Sequence, residues 1–213
     1  MKEWYDLYLE EIKLKKDLRH YVDYKIKNKK KLINLIKKYS KNKKILEAGS
    51  GTGIISTYMA SIGYDVTELD IDAKILSLAK NISKNYIKNG RPKFIKKDLF
   101  KMNFKENEFD VIFSNGVLEH FSNEEIKKIL ALELKQAEYV IAGIPTNFFS
   151  QDEALHGDER FLSLEFWRNI FKEVDADIIE EGSYHYMTFK EKMLNLNRLF
   201  KIKPFWIFVL KKR

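Results

Sequence analysis

The chain has no cysteine in its 213 residues. Disulfide frameworks, thiolate zinc sites, iron–sulfur clusters and cysteine nucleophiles are therefore excluded together. Histidine is scarce as well. The 4 histidines include no two within one helical turn of each other, so no metal is expected to be held by an all-protein cage. Long apolar runs are missing too. The most apolar late stretch, Pro204 to Leu210, is seven residues, far below the roughly 20 that a membrane-spanning helix requires. The opening residues, Met1-Lys2-Glu3-Trp4-Tyr5-Asp6, lack a basic stretch followed by an apolar run, so no secretory signal is read and a cytoplasmic location is expected.

What is present is the composition of a folded chain. Hydrophobic residues make up 45% and charged residues 33%, which sets aside a disordered chain or a collagen-like fibre. The length suits one domain with a small appendage. Net charge is +8, and its excess is local: residues 1–44 hold 15 Lys and Arg against 6 Asp and Glu, leaving 24 against 25 in residues 45–213. Such a patch marks either a solvated lysine-rich helix face or a contact with nucleic acid, and only charge clustered on one face gives the phosphate-binding term.

Residues 3–39 carry apolar side chains at helical spacing without Gly or Pro, which predicts two or three helices, an N-terminal helical cap over residues 1–42. From residue 43 to 213 short apolar segments alternate with helical ones. Strands are expected at Lys44 to Ala48, Tyr64 to Leu69, Lys93 to Ile95, Phe109 to Phe113 and Tyr139 to Pro145, with later ones near Asp177 to Glu181 and Lys203 to Leu210. Between them helices run from about Gly53 to Ser61, from Ala73 to Lys88, from a cap at Ser122 or Asn123, and from Ser163 to about Glu173. Strands separated by helical crossovers imply a parallel sheet in a doubly wound α/β architecture. The irregular stretch Thr146 to Leu162 is long for a plain connection and is a candidate for part of a substrate lid.

The run Lys44 to Gly53 places a buried strand before the glycine-rich turn Gly49-Ser50-Gly51-Thr52-Gly53, which opens a helix. Glycines let backbone approach a ligand closely, and the helix start presents free N–H groups and the positive end of its dipole. Ile54 stands where the dinucleotide fingerprint wants its third glycine, so a nicotinamide cofactor is the poorer match. No Lys followed by Ser or Thr completes a P-loop.

At this point the sequence resembles the class I S-adenosylmethionine-dependent methyltransferases of small-molecule type, whose first motif is an acidic residue and GxGxG after strand one. Glu47, Gly49, Ser50, Gly51 and Gly53 carry that motif. The resemblance continues in order through residues 43–213. Asp70, at the end of the second strand, stands where the family binds both ribose hydroxyls, and Ile71 where an apolar face meets adenine. Asp98 and Leu99 follow strand three at the adenine amino group. Phe109 to Phe121, with Asn115 at its centre, resembles the fourth-strand motif that lines the methionyl part, and Tyr139 to Pro145 resembles strand five. The resemblance implies a Rossmann-like seven-stranded sheet, mostly parallel with an antiparallel last strand, and S-adenosylmethionine as cofactor with S-adenosylhomocysteine as product.

Methyl transfer from a sulfonium needs alignment more than it needs a base. His120, just after strand four, is the candidate general base, or else a histidine of the cofactor shell; Glu119 is a candidate for a cationic acceptor, or a surface carboxylate. Asn147, His156, Glu159 and Arg160 are placed to face the acceptor from the irregular stretch. Trp4, Tyr5 and Tyr8 close over the cofactor, as an N-terminal helix does in some relatives, or form a core stripe. Tyr184, His185 and Tyr186 are weaker candidates. Strand four carries Ser114-Asn115-Gly116-Val117 in place of the Asn/Asp-Pro-Pro-Tyr of enzymes that methylate planar amino groups. A small-molecule acceptor is therefore expected. The alternatives are an RNA methyltransferase using the basic cap, a non-catalytic cofactor-binding partner, and an NAD-dependent dehydrogenase.

Overall fold

A computed structural model describes residues 3–15, 17–88, 90–149, 151–185 and 204–213. Three helices come first: α1 (Trp4–Lys13), α2 (Leu18–Asn28) and α3 (Lys30–Tyr39). Strand and helix then alternate through β1 (Lys44–Ala48), α4 (Ile54–Ser61), β2 (Asp65–Asp70), α5 (Ala73–Tyr86), β3 (Lys93–Lys96), β4 (Phe109–Asn115), α6 (Asn123–Gln136) and β5 (Ala137–Ile144). The chain ends with α7 (Leu164–Glu173), β6 (Ala176–His185) and β7 (Pro204–Lys212). The sheet order is β3-β2-β1-β4-β5-β7-β6. β1 to β5 pair in parallel, and β7 runs antiparallel between β5 and β6. The order reverses beside β1, which puts a crevice at the carboxyl ends of β1 and β4.

Period-two alternation sorts the central strands onto two cores. Leu46, Ile112, Val140 and Phe208 pack with Ile126, Ile129 and Leu130 of α6 and Trp167 and Phe171 of α7. Their neighbours Ile45, Val111, Ile141 and Val209 pack on the other face with Leu32 and Ile36 of α3 and Ile55 and Met59 of α4. A third cluster, of Tyr21, Val22, Ile54, Leu78 and Ile82, fastens α2 to α4 and α5 and takes Tyr5, Tyr8, Leu9 and Ile12 of α1 against it.

The helix starts are set by capping chemistry. Asp72 accepts from the Lys74 and Ile75 backbone N–H groups, Ser163 caps α7, and Ser122 with Glu125 forms a complete capping box on α6. At the foot of the sheet Asp110 ties the α3–β1 turn to β4, accepting from the Asn42 backbone N–H at 2.8 Å, the Lys44 backbone N–H at 3.1 Å and the Asn42 amide at 2.7 Å. Several cap lysines are structural. Lys38 meets Glu180 at 2.6 Å and Lys31 donates to the Ser183 carbonyl at 2.7 Å, so α3 is held across β6.

The last strands run further than the sequence pattern suggests. β6 extends from Ala176 through His185, and β7 continues to Lys212, because Ala176 and Asp177 pair with Lys212 and Lys211. Polar residues on this hairpin hide the strand period. β4 likewise continues through Ser114 and Asn115 in register with Ala142 and Gly143, and α5 stops at Tyr86, two residues before the expected end.

Glu133 lies on the apolar stripe of α6, 1% exposed, with neither carboxylate oxygen hydrogen-bonded among the described residues. Burial pushes it from near 4.5 up to about 8. Between those values the folded state keeps a proton that the unfolded chain releases, so this residue lowers stability as pH rises from about 4.5 to 8. Glu133→Leu should therefore raise stability, by about 1–3 kcal/mol at pH 8 and by less near pH 5. Urea unfolding at the two pH values measures this, and a gain that does not grow with pH would show that the side chain is solvated in the fold.

Candidate active site

The turn after β1 is built of left-handed residues. Gly49, Gly51 and Gly53 have φ of 65°, 54° and 60°. A side chain at any of the three would also meet a neighbour, as a Cβ on Gly49 would lie 2.8 Å from Val117 Cγ2. A Cβ on Gly51 would lie 2.7 Å from the Tyr8 hydroxyl, and one on Gly53 would lie 2.1 Å from a carboxylate oxygen of Glu68. The Ser50 N–H donates to the Leu69 carbonyl at 3.0 Å, which anchors the turn to the end of β2. α4 begins directly after Gly53, with no side chain capping its first N–H groups.

Acidic residues converge on this turn. Asp70 accepts from the Gly51 N–H through Oδ2 and from the Asp72 N–H through Oδ1, each at 3.0 Å. Burial raises its pKa, while the Asp72 and Gly51 backbone donors oppose the rise. Glu47 at the end of β1 accepts from the Ser56 N–H at 3.2 Å and is pushed by burial up to about 7. Glu68 is 0% exposed, neither of its oxygens has a hydrogen-bond partner among the described residues, and burial next to Glu47 and Asp70 holds it well above the usual carboxylate range. The only lysine drawn into this field among those shifted by burial is Lys29, lowered to about 8 by desolvation and by Lys25, with Glu47, Glu11 and Glu119 acting in the opposite direction. Tyr8 reaches in from α1, and burial, with Asp70, Glu11 and Glu47, raises its phenol.

Around this rim the side chains differ in role. Ile71 is 64% exposed immediately beyond Asp70. Asp98 caps the short 3-10 turn Leu99–Lys101 by accepting from the Phe100 N–H at 2.9 Å, and Leu99 itself is buried in the α6-side core. Asn115, at the tip of β4, lies so close to Gly143 that a Cβ there would be 2.8 Å from its side-chain oxygen. The Ser50 hydroxyl is buried without a partner among the described residues.

A second cluster assembles beyond the β4 tip, where the 3-10 turn Leu118–His120 meets the loop of residues 151–160. His120 Nδ1 is 2.8 Å from Asp158 Oδ1, and His156 Nδ1 is 3.4 Å from the same oxygen. Trp4 of α1 stacks on His156 at 5.1 Å between ring centroids, meets His120 edge-on at 5.6 Å and stacks on Tyr8 at 5.8 Å. Glu159 shapes the loop, accepting from the backbone N–H groups of Leu155, His156 and Gly157 at 2.8, 2.9 and 2.8 Å. Partial burial pushes its carboxyl up, but these backbone donors outweigh it and the pKa ends below the usual value. The Arg160 N–H binds the Glu119 carbonyl at 3.0 Å, while its guanidinium turns away to the Phe121 carbonyl and to Asn123.

Glu119 is not a surface carboxylate. It is 2% exposed, its Oε2 has no hydrogen-bond partner among the described residues, and burial pushes it to about 8, against its own backbone N–H and Lys29 and with Glu159 and Asp158 adding to the rise. The β4 tip places it under the loop that Arg160 fastens down.

The structure thus brings Glu47, Gly49, Ser50, Gly51, Gly53 and Asp70 together, and separately His120, His156 and Glu119. Asn147 is exposed, its backbone N–H bound to the Leu162 carbonyl, and Tyr5 packs with the α2–α5 cluster; no contact among the described residues joins either to the histidine pair. Tyr186 lies outside the described residues, and Tyr184 and His185 are strand residues of β6. Three contributors escaped the sequence reading: Glu68, Lys29 and the shared carboxylate of Asp158. Glu68 was findable, since a glutamate inside the apolar strand Val66 to Leu69 is anomalous. Lys29 is hidden in a run of lysines.

Residues 46–133 match the family model described as "Methyltransferase domain". Over 130 residues the chain is 27% identical to the eEF1A lysine and N-terminal methyltransferase of Bos taurus and 26% identical to that of Homo sapiens, covering 60% of this chain but only 15% of either relative. Among solved structures, a protein of Pyrococcus horikoshii superposes with a TM-score of 0.73 at 14% identity, over 100% of both chains. Magnesium protoporphyrin IX methyltransferase of Synechocystis, solved with bound S-adenosylmethionine, superposes with a TM-score of 0.66 at 17% identity, over 86% of this chain and 77% of that one. The family match begins at the acidic glycine motif, so residues 46–133 carry a methyltransferase domain, set on a fold shared with S-adenosylmethionine-dependent methyltransferases, and the cofactor this implies is S-adenosylmethionine.

Proposed function

We propose that this protein transfers the methyl group of S-adenosylmethionine to a small-molecule acceptor received between the β4 tip, α1 and the loop of residues 151–160. The observation that carries the reading is the Asp70 carboxylate at the end of β2. It is buried and accepts only backbone N–H groups, so lone pairs remain for two ribose hydroxyls. The residues fit the cofactor on the structure's own terms. Gly49, Ser50, Gly51 and Gly53 let backbone approach it, Ile71 offers an apolar face to adenine, and Asp98 with Leu99 borders the adenine edge. Asn115 and Glu47 flank the methionyl end. When bound, the cofactor supplies a methyl group on a sulfonium whose departure needs no protonation. The chain's own work is then to hold, orient and exclude water.

The Tyr8 hydroxyl lies over Gly51, and Trp4 over the histidine pair. α1 is therefore the roof of the site. That roof favours a compact acceptor. A protein amine is the second reading, supported by the curated relatives, which are named for lysine and N-terminal methylation. The chain spans about 15% of their length, and so shares with them only this domain-sized region. An RNA acceptor has less support, because Lys31 and Lys38 of the basic cap are engaged with β6.

Asp70→Ala should weaken S-adenosylmethionine by the roughly 1.5–3 kcal/mol typical of charged hydrogen bonds, about 10- to 150-fold in Kd. Calorimetry on the folded variant measures it, and an unchanged Kd would displace the ribose from Asp70. A pH series tests Glu47. Its carboxyl ionises near 7, and only the ionised form attracts the cofactor's cationic methionyl end. Affinity should therefore strengthen between pH 6 and 8, and Glu47→Gln should flatten that rise.

A further inference from the structure

We infer that the cluster of Glu119, His120, His156 and Trp4 takes a protonated amine, so that the methyl group goes to nitrogen. The inference rests on the reading that S-adenosylmethionine occupies the glycine turn; it adds the chemistry of the acceptor.

Glu119 is the first argument. A carboxylate 98% shielded from solvent, with Oε2 lacking a hydrogen-bond partner among the described residues, is costly unless a ligand completes it. The second argument is the sign of the surroundings. Asp158 and Glu159 stand on the loop facing Glu119, and the Arg160 guanidinium is committed to Phe121 and Asn123. The cation that faces Glu119 is the Lys29 ammonium, from the α2–α3 junction, which also faces Glu47 and Glu11. The protein thus already draws an ammonium to this end of the site. A carboxylate or phosphate acceptor would meet repulsion here, and an alcohol would leave Glu119 unanswered. The third argument is the wall. Trp4, His156 and His120 present aromatic surface, which suits a cation and repels none.

An ammonium must lose a proton before its nitrogen can act. The Asp158 carboxylate accepts from His120 Nδ1, which leaves Nε2 as the ring's basic nitrogen. The ammonium passes one proton to Nε2. Its freed lone pair bonds the methyl carbon as the methyl–sulfur bond breaks with its electron pair left on sulfur. The product is a methylated ammonium, and the proton leaves His120 for solvent. Glu119, pushed up to about 8 by burial, releases its own proton to solvent as the cation arrives beside it, so the ammonium meets a carboxylate. His120, Asp158 and Glu159 also place donor atoms within 4.8 Å of one another, close enough for a metal ion. The Glu159 oxygens, however, already accept from three backbone N–H groups.

The test begins with protein loaded with S-adenosylhomocysteine, titrated by calorimetry with n-butylammonium and, separately, with n-butanol and butyrate. Binding of the ammonium alone is expected, and Glu119→Gln should weaken it about tenfold or more without altering S-adenosylhomocysteine affinity. His120→Asn should lower kcat for an amine acceptor by a larger factor than it weakens ammonium binding. Equal binding of butanol, or an ammonium affinity untouched by Glu119→Gln, would overturn the amine assignment while leaving the methyltransferase standing. Ammonium binding abolished by EDTA would overturn it in favour of a metal site. Failure to load S-adenosylhomocysteine would sink the cofactor reading and the amine with it.

Discussion

Three carboxylates, Glu47, Glu68 and Asp70, are packed around one glycine turn, and most of what this molecule does follows from how that concentration of acid is tolerated. Isolated buried charge is prohibitive, so each group finds its own answer. Asp70 is held by the Gly51 and Asp72 N–H groups and Glu47 by the Ser56 N–H at the start of α4. Glu68, with no donor among the described residues, is held by burial well above the usual carboxylate range. Gly53 exists in this form because Glu68 fills the place of its side chain. The result is a turn that is stiff, stripped of side chains, and biased toward a cationic ligand with hydroxyl groups.

The helical cap is the counterpart of that acid. α2 and α3 bring Lys29 to the site and pin themselves across β6 through Lys31 and Lys38. α1 lays Tyr8 over the glycine turn and Trp4 over the histidine pair. The lysine excess, which in composition alone resembles a nucleic-acid patch, is in part the mortar between cap and sheet. Each exposed pair contributes little by itself.

The regular parts of the fold were readable because their periods are local. β1, the capped starts of α5, α6 and α7, and the glycine turn all depend on residues within a few positions of one another. β6 and β7 were underestimated because their length depends on a long-range hairpin, whose outer residues, Glu180, Glu181 and Lys211, carry no apolar period. The residues proposed for the cofactor were nameable for the same local reason: they stand at strand ends or in the turns that directly follow them. The cluster proposed for the acceptor was not. Glu119 reads as a surface carboxylate until the loop bearing Asp158, Glu159 and Arg160 closes over it, 38 residues or more along the chain from His120 in the case of Asp158.

The sequence by itself determined the strand–turn–helix punctuation, the order of acidic strand ends and hence the methyltransferase domain and the cofactor it implies, since these are encoded by neighbours in the chain. Only the tertiary structure brought together the cluster proposed for the acceptor. There Trp4, Lys29, Glu119, His120, His156 and Asp158 come from segments far apart in sequence. Burial, which no short window of residues specifies, turns those ordinary polar side chains into an unanswered carboxylate facing an aromatic wall.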